Sequence, residues 1–333
     1  MRILKDIKES DIIHLLQSYL SSSPYMGSNE DAYLIKDHPP YMLINIDSMQ
    51  RDGDFLPNQT WAQIGGKLVT MTFSDLVAKG AYPEAFLSSL VLETEMLEKD
   101  LKELASGICQ ATHKYNSSYL GGDLGSAFEA VLTGVGIGSI KQGEILTRRN
   151  AQEGDLVCVS GYFGLTSIAF DELLNNKKTK IPTISSHILN TAIKKVYEPE
   201  LRLMEGTLLS SNKIASSSID SSDGLASALN WLSKESNIRI IIDYLPTEPD
   251  LLQYEPSQDV IQEITFYGGE EYEIVFTIPS TKLDETVDLF ERNNIQCIVI
   301  GKCYEGEGVF YRKADKDVRI PLYGWDSIQQ QHK

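Results

Sequence analysis

Apolar runs recur along almost the whole chain, alternate with segments of helical period, and repeatedly stop at an aspartate or a glycine-marked turn. YMLINID (41–47) reads as a buried strand ending on Asp47, a short strand runs into GGD (121–123), and KIASSSID (213–220) ends on Asp220. Alternation of strand and helix periods predicts an α/β fold of the α+β kind. With 333 residues, one hydrophobic core is too small to organise the chain, so two lobes are expected.

The first lobe is assigned to residues 1–140. Ser10 to Leu20 places Ile12, Ile13, Leu16, Tyr19 and Leu20 on one helical stripe. A longer helix is expected from Thr60 to Lys79, opened by a hydroxyl cap, stopped by Gly80 and Pro83, and carrying Ser74 and Asp75. A strand (86–92), a helix (97–115) and the strand FEAVLTGVGIG (128–138) complete it. The polar stretch 141–155 reads as a linker. The second lobe, 141–330, is predicted to contain strands at 156–161, 213–220, 238–243, 272–278 and 296–301, with helices at 162–174, 223–235 and 281–293. The KKTK run (177–180) and QQQ (329–331) read as solvated surface and a frayed tail.

The bulk numbers exclude several classes. A net charge of −17 argues against a reader of nucleic-acid backbone. The chain has no apolar run of bilayer length, and its charged start, MRILKDIKESD, does not suit a secretory signal, so a cytoplasmic protein is expected. The four cysteines show no CxxC or zinc spacing and read as reduced thiols. None of the five histidines falls in a recognisable cluster or triad.

Two familiar nucleotide motifs are missing. GGK (65–67) is followed by Leu68 where a P-loop needs Ser or Thr, and GVGIGS (134–139) ends a strand without opening a helix. What remains is a set of carboxylates at strand ends or beside glycine turns: Asp31, Asp47, Asp75, Asp123, Asp220 and Asp223. Gathered in one cleft they would repel one another unless hard cations neutralised them, and magnesium, which shares its oxygen shell with phosphates and water, fits that chemistry. Taken singly, each Asp is equally a cap or turn former. GGD offers backbone amides for a phosphate or forms a tight turn, and Arg148 and Arg149 in the linker could clamp one. In YGGEEYEIVF (267–276), Glu270 is expected to open a strand facing the cleft, while Glu271 and Glu273 are expected to face water.

The order NED (29–31), NID (45–47), TFSDLVAKGA (72–81), GGD, RRNA (148–151), IDSSDGL, GGEEYE and GW (324–325) resembles the thiamine-monophosphate kinase family, within the superfamily of aminoimidazole-ribonucleotide and selenophosphate synthetases. The likeness runs from about residue 27 to 326. It implies a homodimer paired through the N-terminal lobes, with ATP and several Mg2+ ions in the cleft between lobes. It also implies in-line transfer of the γ-phosphoryl group to thiamine monophosphate. Carried over by motif, the six aspartates would ligate metal; Gly122, Asp123, Arg148 and Ser222 would contact ATP; Arg148 and Asp223 would be catalytic; Asp54, Glu270 and Trp325 would border the acceptor. The chain departs from the family on the acceptor side. Asn29-Glu30 stands where the family shows Gly-Asp, Ile46 replaces a hydroxyl residue, Asp54 replaces a histidine, and Glu271 replaces an aspartate. A second anion at Asp54 would repel the acceptor phosphate unless a cation intervenes. A superfamily enzyme with another acceptor and a silent ATP or metal binder are the competing readings.

Overall fold

A computed structural model describes residues 33–35, 40–175, 181, 184–314 and 316–321. The helix expected at 10–20, the NED segment with Asp31, the KKTK and QQQ runs, and Trp325 in the closing GW lie outside the described residues.

The first sheet has the order β1-β2-β5-β3-β4, with β1 Tyr33–Ile35, β2 Tyr41–Gln50, β3 Tyr82–Glu93, β4 Ser118–Ala127 and β5 Val131–Ile140. Only β3 and β4 run parallel; the other neighbours are antiparallel. A short turn of helix, α1 (Arg51–Asp54), leaves β2, and α2 (Trp61–Ala78) and α3 (Glu98–Lys114) cover one face of the sheet. The start of α2 follows its sequence signature. Thr60 accepts from the Gln63 backbone N–H while the Gln63 side chain accepts from the Thr60 N–H, satisfying two end groups at once.

The glycines of GVGIGS lie inside β5 on the face turned to α2, where they permit close approach. A Cβ on Gly136 would stand 2.6 Å from Asn45 Oδ1, and one on Gly134 would stand 2.8 Å from the Phe86 ring. Their role here is helix–sheet packing. GGD also differs from the turn expected of it: Gly121, Gly122 and Asp123 sit within β4, and a side chain on Gly122 would run into the Ser88 carbonyl of β3.

The second sheet has the order β12-β11-β8-β10-β6-β9-β7. Its strands are β6 (Leu156–Val159), β7 (Ser217–Asp220), β8 (Ile238–Ile242), β9 (Ile274–Ile278), β10 (Ile298–Glu305), β11 (Gly308–Lys313) and β12 (Lys316–Arg319). Two helices fall where they are expected, α4 (Leu165–Leu173) and α7 (Leu225–Ser236), and two were not expected, α5 (Ser186–Tyr197) and α6 (Leu203–Ser211). They are followed by α8 (Pro249–Leu252), α9 (Gln258–Phe266) and α10 (Leu283–Arg292). One apolar cluster lies under α7; another joins Ile274, Phe276 and Phe290 to Leu209 and to Val77 of α2. A third joins Leu56 to α4 and α5. The two sheets are therefore bound together through α2 and the residues just before it.

Candidate active site

One helix face and two loops build the site. On α2, Lys67 and Ser74 are seven residues apart, two helical turns, and so share a face. Ser74 Oγ donates to Asp220 Oδ2 at 2.6 Å, at the end of β7. The Lys67 ammonium, with its side chain 1% exposed, meets Glu270 Oε1 at 2.6 Å and lies 3.4 Å from the Asp54 carbonyl oxygen. Asn45 of β2 donates to Asp75 Oδ2 at 3.0 Å and to the Thr72 carbonyl at 2.7 Å, which ties β2 to the same helix; Asp47 lies inside this strand, which runs on to Gln50 rather than ending on the aspartate as expected.

The two loops are IDSSDGL, between β7 and α7, and GGEEYE, which leads into β9. They are joined by the Glu270 N–H, which donates to the Ser222 carbonyl at 2.7 Å. Gly224 begins α7 with φ of 92°, a conformation that favours glycine, and a Cβ there would press on the Gly268 carbonyl. Glu270 and Tyr272 adopt φ of 57° and 52° without being glycines, so the loop is held in a strained form by its surroundings. At its centre the Tyr272 phenol is pushed well above its usual range, first by burial and then by the charges of Glu270, Asp47, Asp220 and Asp223. The negative charges of four carboxylates, Asp47 from the first sheet, Asp220 from the end of β7 and the others from loops beside the second sheet, thus act on one buried hydroxyl.

The structure corrects the reading of Glu271 and Glu273, which were expected to face water. Both are buried. The expected strand starts later, at Ile274, and the left-handed residues before it destroy the alternation on which that reading relied. Glu271 Oε1 accepts from Thr166 Oγ1 at 2.7 Å, and burial raises its carboxyl to about 8. Glu273 is also pushed up by burial, but Arg202 and Lys195 outweigh that effect and hold it below the usual carboxylate range. Its oxygens accept from Arg202, from Lys195 at 3.3 Å and from Ser160 at 2.7 Å, while its N–H donates to Ser221 Oγ at 3.0 Å. It thereby fixes the residue between Asp220 and Ser222.

Asp54 sits at the end of α1, where Oδ2 accepts the Gln50 N–H at 2.7 Å; burial raises its carboxyl, with the Gln50 bond and Lys67 opposing. Lys67 is a cation beside this aspartate, within 3.4 Å of its backbone carbonyl oxygen. Sequence reasoning set Lys67 aside along with the failed P-loop, noted Ser74 on its helix without giving it a role, and passed over Tyr272. An ionisable residue inside an otherwise apolar helical stretch was the available signal for Lys67.

Three expected residues are not brought into this group within one chain. Asp47, Gly134, Ser88 and Gly122 form a row across the sheet, so Gly122 lies three strand spacings, about 14 Å, from Asp47. Asp123 follows it on the exposed edge strand. The Arg148 guanidinium stacks 5.2 Å from the Trp231 ring, and its carbonyl accepts from Ser236 at the far end of α7. Ser222 is exposed at the loop junction, and Asp223 is partly exposed beside it.

Among the described residues no three carboxylates, histidines or cysteines converge closely enough to hold a metal by themselves. The candidate donors are all carboxylate oxygens: Asp75 on α2 is held by Asn45, and Asp220 by Ser74 of α2, while Asp47 and Asp223 lie on β2 and on the loop after β7. That set suits Mg2+, which binds through one or two carboxylates and completes its shell with substrate phosphates and water.

Comparison with known proteins agrees with this architecture. Residues 29–140 match the family described as AIR synthase related protein, N-terminal domain. The chain is 32% identical over 326 residues to the thiamine-monophosphate kinase of Pyrococcus horikoshii, covering 97% of each. It is 31% identical over 325 residues to the thiamine-monophosphate kinase of Pyrococcus abyssi, covering 97% of this chain and 96% of the relative. A solved structure, "AaThiL complexed with AMPPCP and TMP", superposes with a TM-score of 0.82 at 24% identity, covering 98% of this chain and 99% of its own, and so shares the fold.

Proposed function

This chain belongs to the thiamine-monophosphate kinase family, and from that premise we propose that its cleft transfers the γ-phosphoryl group of ATP to the phosphate of thiamine monophosphate, giving thiamine diphosphate. The observation that carries the assignment is the convergence on one face of α2 of two acidic loops, with Ser74 bonded to Asp220 at 2.6 Å and Lys67 to Glu270 at 2.6 Å, while the charges of Asp47, Asp220, Asp223 and Glu270 all act on Tyr272. Such a concentration of negative charge serves a phosphate reaction only when divalent cations are shared with the substrates. Mg2+ ions held by Asp47, Asp75, Asp220 and Asp223 would neutralise the triphosphate and the charge that develops on the moving phosphoryl group.

The protein supplies position. The acceptor oxygen is already anionic and needs no strong base, so alignment dominates. Ser74 fixes the Asp220 carboxylate, and Glu273 fixes the Ser221 side chain beneath the same loop. The Tyr272 hydroxyl keeps its proton and remains a donor. Glu270 borders the acceptor, with Lys67 behind it. The nucleotide roles of Gly122, Asp123, Ser222 and Arg148, the metal role of Asp31 and the stacking role of Trp325 rest on the family resemblance alone.

The reading extends to a homodimer. The face of the first sheet opposite α2 and α3 carries Ile44, Ile46, Leu87, Val91, Val135 and Ile137, with Ile46 68% exposed. Strand register aligns Ile46, Val135 and Leu87 in one apolar row. A second copy would cover that row and place each β4 edge, with Asp123, near its partner. Among the described residues no helix is long and apolar enough to cross a membrane, consistent with work in the cytoplasm.

The test is Mg2+-dependent ADP release with and without thiamine monophosphate, in the intact protein and in Asp223→Asn. Stimulation by thiamine monophosphate that falls about a hundredfold or more in the variant is expected. ATP use indifferent to thiamine monophosphate would overturn the acceptor assignment.

A further inference from the structure

Lys67 is a buried ammonium whose assigned neighbours both lie on the acceptor side of the cleft. It meets the Glu270 carboxylate at 2.6 Å and the Asp54 carbonyl at 3.4 Å, from a helix position that is 1% exposed. Enclosing an ammonium this fully is unfavourable unless its charge is used, and an apolar side chain would fill the same space without that cost. With an apolar residue at 67, Glu270 and Asp54 would border the acceptor without the Lys67 counter-charge. Glu270 is also held at its other end, where its N–H donates to Ser222 while its backbone stays left-handed at φ 57°. Its carboxylate is therefore fixed in direction by a residue 203 positions away in sequence.

We infer that Lys67 is a positioning residue that selects the acceptor: it holds the Glu270 carboxylate aimed at a cationic nitrogen heterocycle, and it offsets the Asp54 charge that would otherwise repel that molecule's phosphate. The inference rests on the acceptor proposed above and adds the reason this cleft tolerates Asp54. A phosphate monoester carried on a neutral ring gains nothing from the fixed carboxylate. The pocket therefore discriminates by ring charge as well as by shape, and the two carboxylates with one ammonium leave it net negative toward the ring.

The variants that test this are Lys67→Met, Lys67→Arg, Glu270→Gln and the double Lys67→Met/Glu270→Gln, assayed by steady-state kinetics and by the thermal shift that thiamine monophosphate alone produces. Lys67→Met is expected to raise KM for thiamine monophosphate about thirtyfold while leaving KM for ATP within about twofold, with partial recovery in Lys67→Arg. Because both residues act as one unit, the double variant is expected to be no worse than the poorer single. Glu270→Gln, on a partly exposed loop, keeps the shape of the pocket and reports even if Lys67→Met folds poorly. Equal thermal shifts in the wild type and in Glu270→Gln, or parallel losses toward ATP and thiamine monophosphate in Lys67→Met, would overturn the inference and leave the kinase reading standing. A wild-type protein with neither a thermal shift nor turnover stimulated by thiamine monophosphate would overturn both.

Discussion

Glu271 and Glu273 stand two positions apart in one loop and are opposite in character. Glu273 is ionised and clamped by Arg202 and Lys195; Glu271 is raised by burial to about 8, despite its bond from Thr166 and the field of Lys195. The sign of the consequence follows from linkage. Between the ordinary value of 4.5 and about 8, the folded protein holds a proton on Glu271 that the unfolded chain has released, so this group makes stability fall as pH rises through that window. Glu271→Gln is expected to flatten the decline and to raise the unfolding midpoint at pH 8.5 above that of wild type, as measured by thermal scans from pH 5 to 9. Nothing in the local sequence distinguishes these two glutamates. Their difference comes from Thr166, Lys195 and Arg202, each brought from far along the chain, which is why a reading by strand alternation placed both in water.

At the level of elements, α2 was the most legible part of the molecule, because its Thr60 cap, apolar periodicity and Gly80 stop are all local signals. The strands at 41, 156 and 238 were legible for the same reason. Less legible were α5 and α9, whose starts are marked only by Ser185 and Ser257 caps. The glycines of β5 were misleading by pattern and become clear only against α2. Gly136→Ala tests that packing. The added Cβ would press on Asn45 Oδ1 at 2.6 Å and on Leu76 Cδ1 at 3.0 Å, pushing Asn45 off Asp75. A loss of about 1–3 kcal/mol in urea unfolding is expected, together with a higher Mg2+ concentration for half-maximal ADP release.

For the whole molecule, the apolar outer face of the first sheet predicts assembly. Ile46→Glu places a charge in the centre of the row it forms with Val135 and Leu87, and sedimentation is expected to show a monomer where the unaltered chain is a dimer. The sequence pattern exposed the mixed strand and helix order and the strand that ends on Asp220, but Asp47 and Asp123 lie inside their strands, and which aspartates meet depends on long-range packing that no local window carries. That packing runs through α2, which touches the loop of Glu270 at Lys67 and the end of β7 at Ser74. Seven residues of helix span about 10 Å. The separation of the Glu270 and Asp220 anchor points is thus set by a covalent ruler rather than by how tightly the two sheets pack. A single residue inserted between 67 and 74 would turn one mark about 100° out of line, so this interval tolerates substitution but not a change of length.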